Sequence, residues 1–193
     1  YVDDAALSVG NYVYIDAIAK ETNLSTKDIA DAYRYDGTNE TITIKELRNA
    51  DGSDNEIDYA ENATRTDKEN GWYSYSINSK DEYTLTLAET NGKGTAYTDG
   101  DGKSVIQNNK VALFKDAKEG NAVNGNSNTI FIVKDEDDDV YVYTGITNVP
   151  DITIDTTNGY IRYMKDKDDA TKSVASLVYV DVGDGGNVKS STT

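Results

Sequence analysis

Apolar residues fall in short runs separated by loops rich in Asn, Asp and Gly. Many of the runs alternate with small polar residues. In residues 72–77, Tyr73, Tyr75 and Ile77 alternate with Ser74 and Ser76. In residues 83–88, Tyr83, Leu85 and Leu87 alternate with Thr84 and Thr86. Successive side chains of a strand point to opposite faces, so each run predicts a strand with one apolar face. Asn78-Ser79-Lys80-Asp81 joins the two into a hairpin. Tyr33 and Tyr35, then Ile42 and Ile44, predict a second hairpin around Asp36-Gly37, where Gly accepts positive φ. The densest run, T-I-F-I-V at residues 129–133, does not alternate. Such a strand is covered on both faces, which places it centrally. Residues 140–144 return beside it across an acidic loop, residues 134–139.

The remaining elements are read from weaker patterns. Residues 12–15 predict a strand, and Ala17-Ile18-Ala19 either extends it or begins a helical turn. Ser25 followed by Asp28 imitates a capping box, after which Ile29 and Ala32 or Tyr33 would share a helical face. Residues 49–70 are the most polar segment and read as an exposed excursion or a linker. Residues 91–103 read as turns. Residues 105–106 and 111–114 predict a hairpin across Asn108-Asn109, and residues 151–157 and 160–164 another across Asn158-Gly159. Residues 174–182 form a last strand. About ten or eleven short strands predict an all-β, antiparallel β-sandwich or partly closed barrel with at most one short helix. Residues 1–193 are expected to form one β-rich module, with any subdomain boundary near residues 49–70.

Composition narrows the class. Only 37% of the 193 residues are hydrophobic, but 15 are Tyr, whose rings can cover a core while the hydroxyl stays wet. The apolar residues cluster in strand-length runs instead of scattering, which argues against disorder. Thirty-five acids against 19 bases give a net charge of -16, which repels nucleic-acid phosphates and anionic lipid heads. There is no Cys and no His, which removes disulfides, thiol chemistry, the common zinc sites and the commonest general base. No stretch approaches the roughly 20 apolar residues of a membrane helix, so no membrane insertion is expected. The chain opens without Met inside an apparent strand, so a piece of a longer protein is expected, its targeting signals lying outside.

Two chemistries suit the residues present. Alternate oxygen ligands on a loop can wrap calcium, and Asp135, Asp137 and Asp139 form the best candidate. Asp99 with Asp101, and Asp51 with Ser53 and Asn55, are further candidates. None completes an EF-hand, because from Asp51 the required Gly is Glu56. The competing reading is that acids beside strands are solvated turn formers and edge-pairing deterrents. Trp72, Tyr73 and Tyr75 are candidates for a carbohydrate-binding platform. Their competing reading is core and sheet cover, and exposure of Trp72 separates the two. A glycosidase needs two carboxyls held across a cleft, and 35 acids supply pairs too freely for sequence to single one out. Sequons at Asn23, Asn39 and Asn62 arise easily in an Asn- and Thr-rich chain.

One segment carries a family resemblance. T-I-F-I-V-K, an acidic loop, then V-Y-V-Y-T-G-I-T-N-V-P-D-I resembles a recurring segment of large Firmicute surface proteins that carry S-layer homology domains. W-Y-S-Y-S-I-N-S-K-D-E-Y-T-L-T-L and Y-R-Y-D-G-T-N-E-T-I-T-I resemble their earlier hairpins. The likeness runs from Tyr33 to Ile152 and is best from Thr129 onward. The S-layer homology domain itself is absent from these residues. The resemblance implies an extracellular, cell-wall or S-layer-associated structural or adhesive module, not an enzyme, and carries no catalytic residues. Its partners would be cell-wall or host glycans or neighbouring surface-protein domains. A carbohydrate-binding module, calcium-stabilised or not, is the alternative.

Overall fold

The structure, a computed structural model, describes residues 11–21, 27–54, 69–98, 100–107, 112–165 and 173–189. The chain divides into two compact units, Tyr1–Glu89 and Thr90–Thr193. The polar segment at residues 49–70 belongs to the first unit. The described residues form sixteen strands and no helix, so the protein is all-β.

The first unit holds β1 (Tyr12–Glu21), β2 (Lys27–Arg34), β3 (Asn39–Arg48), β4 (Gly71–Ile77) and β5 (Glu82–Leu87). They close into a barrel in the order β1-β2-β3-β5-β4, with β4 pairing back onto β1. Closure requires strong curvature, and a β-bulge in each of the two long strands supplies it. The register of β1 shifts between Ile15 and Ala17, and that of β3 between Ile44 and Glu46. The extra residue also changes the phase of burial. Val13 and Ile15 face the interior before the first bulge, and Ile18 after it; Ile42 and Ile44 precede the second, and Leu47 follows it. Ala30, Ala32, Tyr73, Tyr83 and Leu85 complete this core.

The helical start expected at Ser25 lies outside the described residues, but the turns it would feed do not form. Lys27–Arg34 is strand β2. Ala30 and Ala32, two residues apart, are buried in the barrel, whose narrow interior takes small side chains well. Tertiary packing overrides the local capping signal. Ala17, Ile18 and Ala19 continue β1. The hairpins β2–β3 and β4–β5 form as the alternation predicts.

The second unit is a sandwich of two sheets. One has seven strands in the order β10-β9-β6-β14-β15-β11-β12, and the other four in the order β16-β13-β8-β7. The strands are β6 (Asn91–Thr95), β7 (Tyr97–Thr98), β8 (Ser104–Ile106), β9 (Ala112–Asp116), β10 (Ala122–Asn124), β11 (Ile130–Lys134), β12 (Val140–Thr144), β13 (Ile152–Ile154), β14 (Tyr160–Lys165), β15 (Ala175–Asp181) and β16 (Asn187–Val188). Phe114, Phe131, Val133, Ile161, Tyr163, Val178 and Val180 from the larger sheet share a core with Ile106, Ile152 and Ile154 from the smaller. Phe131, Ile132 and Val133 are fully buried, and β11 is flanked on both sides, as its unbroken apolar run predicts.

Three expectations are corrected in this unit. Residues 91–95 form β6, a strand between β9 and β14, and not a run of turns. The glycines that resemble turn signals make room for rings: a Cβ on Gly94 would sit 2.7 Å from Phe114 Cδ2, and one on Gly92 2.8 Å from Tyr163 Cζ. The residues flanking Asn108-Asn109 do not make a hairpin ladder. β8 joins the four-stranded sheet and β9 the seven-stranded one, while the turn lies outside the described residues. β13 and β14, either side of Asn158-Gly159, also part into different sheets. Gly159 is needed for close approach, since a Cβ there would lie 2.3 Å from Ile154 Cγ2. Among the described strands, pairing is antiparallel except for β3 with β5 and β11 with β15, which run parallel, and an isolated bridge between Asn124 and Val174 is parallel too.

Candidate functional site

The acidic loop between β11 and β12 is built around one side chain. Asp135 Oδ1 accepts hydrogen bonds from the amides of Asp137 and Asp139, both at 2.9 Å. Its own amide donates to the Asp139 carbonyl at 2.9 Å. Asp138, at the tip, has φ of 65° and lies 3.8 Å from Lys134 Nζ. Both lone pairs of Asp135 Oδ1 are therefore engaged by the loop's own backbone. Among the described residues no group of three or more acidic side chains converges as a metal site. Asp137 and Asp139 enter the loop through their amides.

The same device recurs at other strand connections. Asp36 accepts from the Thr38 amide, Asp51 from Ser53, Asp155 from Thr157 and Asp181 from Gly183, each at 2.9 Å. Asn78 accepts from Lys80 and Glu82, Asn126 from Asn128, and Asp116 from Lys118 and Glu119. Asx side chains of this kind imitate a backbone turn and stabilise it. The hydroxyl and amide of Thr38 hold the Asp36 carboxyl below its usual range, and those of Ser53 do so for Asp51. The amides of Thr157 and Gly185 do so for Asp155. At Asp116 burial pushes the other way, but the Tyr163 hydroxyl and the amides of Glu119 and Lys118 prevail and lower it. Asp99, the candidate partner of Asp101, and Asn55, the candidate partner of Asp51 and Ser53, lie outside the described residues.

The aromatic platform is corrected. Trp72 is fully buried and pairs across the strands with Tyr14, their rings 5.5 Å apart at 62°. Tyr73 points the opposite way, into the barrel core, where burial pushes its hydroxyl pKa up. Adjacent residues of a strand take opposite faces, so Trp72 and Tyr73 cannot share one sugar-stacking surface. Tyr75 alone stays partly exposed, within a cluster from four strands. Arg34 of β2 donates to the Tyr75 hydroxyl of β4 at 2.7 Å, and also to Glu40 of β3 and the Tyr83 hydroxyl of β5. The Tyr83 hydroxyl donates to Glu40 at 3.0 Å. Burial works to lower the Arg34 pKa, but the Glu40 bond and the two phenols outweigh it. This cluster pins the barrel strands together and spends its polar groups internally. Asn39 is likewise engaged, its side-chain amide donating to Asp31 at 2.6 Å.

A concave site that sequence reasoning missed lies in the second unit. A groove of ≈ 290 Å³ is lined by strands β6 and β14 of the larger sheet, by β8 and β13 of the smaller, and by the β13–β14 connection. Lys93 and Arg162 line it and stand directly opposite each other in the β6–β14 register. The Arg162 guanidinium carbon lies 4.8 Å from the Tyr160 ring centre, and Nη1 donates to the Ile161 carbonyl at 2.9 Å. Thr95, Ser104 and Thr156 also line it. No local signal marks this grouping, because β6 reads as turns and its pairing with β14 is non-local.

Set against known proteins, the chain matches no family model, no curated protein and no solved structure at significance.

Proposed function

We propose that the chain is a non-enzymatic structural or adhesive module of a bacterial cell-surface protein, S-layer-associated and displayed outside the cell. The observation that carries this reading is the use made of the acids at the strand connections. At turn after turn a carboxylate locks its own backbone, which gives short, stiff connections between well-packed strands. A stiff, Cys-free β scaffold with a net charge of -16 suits display and spacing on a crowded surface, where like charge keeps neighbours apart. The resemblance of residues 129–152 to segments of Firmicute surface proteins supports the same reading. Among the described residues no helix is long and apolar enough to cross a membrane.

The test is sedimentation of the purified chain with isolated Gram-positive cell walls. The expected result is saturable co-sedimentation with no soluble sugar or peptide released. A chain that stays in the supernatant overturns the adhesive reading, and released sugar or peptide makes the protein a hydrolase.

A further inference from the structure

We infer that the outer edge of β12 docks an extended, basic segment of another polypeptide, which adds to the seven-stranded sheet as a further strand. β12 ends that sheet and pairs with β11 in an unbroken five-residue register. The other sheet edges among the described strands are blunted. β7 and β16 have two residues each, and β10 has three, with a register shift between Val123 and Asn124. The barrel closes and has no edge. Edges are ordinarily guarded by a charge, a proline, a bulge or shortness. Residues 140–144, V-Y-V-Y-T, carry none of these guards, and Tyr141 and Val142 are 47% and 37% exposed.

The hydrogen bonds of the hairpin fix which groups the edge offers. The Asp135 amide donates to the Asp139 carbonyl at 2.9 Å, and the Gly145 amide to the Thr129 carbonyl at 2.8 Å. Bonded pairs alternate along an antiparallel ladder, so Val133 with Tyr141 and Phe131 with Tyr143 are the bonded pairs between those ends. The amides and carbonyls of Val140, Val142 and Thr144 therefore point away from β11. Lys134 agrees: it stands opposite Val140, and its carbonyl accepts the Val182 amide at 3.1 Å, on the β15 side. Asn148 caps the Thr144 carbonyl at 2.7 Å, which ends the edge. Backbone pairing along such an edge supplies affinity. Charge selects the occupant. Residues 134–139, which lead straight into β12, hold one lysine against five acids, and residues 136–139 are exposed. These acids lie beside the edge and not within it, so they repel an acidic strand and attract Lys or Arg on a basic one. A second copy of this chain, with its net charge of -16, is disfavoured by the same field. On an antiparallel partner the basic residues follow the strand-forming run, where they meet the loop.

This inference rests on the adhesive reading and gives it a protein partner, yet the two fail separately. The full chain is titrated with a synthetic peptide of alternating Thr and Val ending in three Lys, and with the same peptide ending in three Glu. Amide exchange is followed by NMR in each titration. The Lys peptide should bind at least about tenfold more tightly than the Glu peptide. It should slow exchange at Val140, Val142 and Thr144, whereas Tyr141 and Tyr143 are already bonded to β11. Val142→Pro removes an edge amide without touching the β11 ladder and should weaken binding about tenfold or more. Glu136→Gln with Asp137→Asn should weaken it about three- to fivefold, and carries the test if Pro disturbs the fold. Equal binding of the two peptides overturns the inference, as does protection confined to other amides, or binding indifferent to both variants. Protection of the same amides that rises with protein concentration, without peptide, makes the occupant a second copy and overturns it too. Wall sedimentation without peptide binding would keep the module reading and remove this one. Peptide binding without wall sedimentation would do the reverse.

Discussion

The hydroxyl of Thr129 donates a 2.8 Å hydrogen bond to the carbonyl of Ala175, at a point where Thr129 is fully buried. The same oxygen accepts the Asn126 amide at 2.9 Å, and the Thr129 carbonyl accepts the Gly145 amide at 2.8 Å. One residue thus ties the entry of β11 to the start of β15, its parallel neighbour, and to the connection after β12. Thr129→Val keeps the shape and strands two backbone groups. It should cost about 1–3 kcal/mol, read as a lower urea midpoint by far-UV circular dichroism. Thr129→Ser keeps the hydroxyl and should lose less. Equal losses would assign the effect to packing alone.

Gly94 lies in a strand interior, where Val has the higher intrinsic propensity. The rings pressed against its backbone reverse that preference. Gly94→Val should destabilise by about 1–3 kcal/mol through overpacking against Phe114 and Ile161. A melting temperature at or above that of the parent would show that the rings move aside freely.

Asp135 separates a turn former from a cation ligand. Asp135→Asn keeps the oxygen that accepts the Asp137 and Asp139 amides, whereas Asp135→Ala removes it. The Asn variant should melt within about 0.5 kcal/mol of the parent and the Ala variant about 1 kcal/mol lower. Melting each with calcium and with chelator completes the test. Calcium protection of the parent that is lost in the Asn variant would make the loop a cation site.

Acid should unfold the protein through its turn carboxylates. The folded-state pKa values of Asp36, Asp51, Asp116 and Asp155 are depressed. Their contribution is therefore complete above the unfolded value, about 3.9, and is lost as pH falls through the folded values. Asp116 is the one tied to a core tyrosine, Tyr163. Asp116→Asn should flatten the fall in stability below about pH 4, measured by urea unfolding at stepped pH. An unchanged slope would remove Asp116 from the acid response.

Base should act through the buried phenols. Burial raises the pKa of Tyr73, and burial together with Asp116 raises that of Tyr163. Stability from these groups is complete below the unfolded value of about 10 and is lost as pH rises through the folded values. Tyr73→Phe should weaken this alkaline loss, followed by phenolate absorbance alongside circular dichroism. A parent chain that ionises all its tyrosines near pH 10 without unfolding would contradict it.

Legibility followed locality. The hairpin of Tyr73 and Tyr75 with Leu85 and Leu87 was written in strict alternation, and its turn in Asn78 to Asp81. The buried run of β11 was written in its unbroken apolar residues. The role of Trp72 was not, because alternation shows that Trp72 and Tyr73 face opposite ways but not that both faces are covered. The Lys93–Arg162 pair was hidden for a different reason. Gly92 and Gly94 imitate a turn only until the rings of Tyr163 and Phe114, distant in sequence, are placed on them.

By itself the sequence determined that this protein is made of β-strands, where most of them run, and that its acids gather at the connections. Period-two patterning and turn residues are local, and local physics suffices to read them. Tertiary structure alone decided the barrel closure through bulges at Asp16 and Lys45, the parallel pairing of β3 with β5 and β11 with β15, and the parting of β13 from β14 into separate sheets. A strand's sequence records which of its faces is dry. Which strand becomes its neighbour is set by packing between residues far apart in the chain, and no window of the sequence contains both partners.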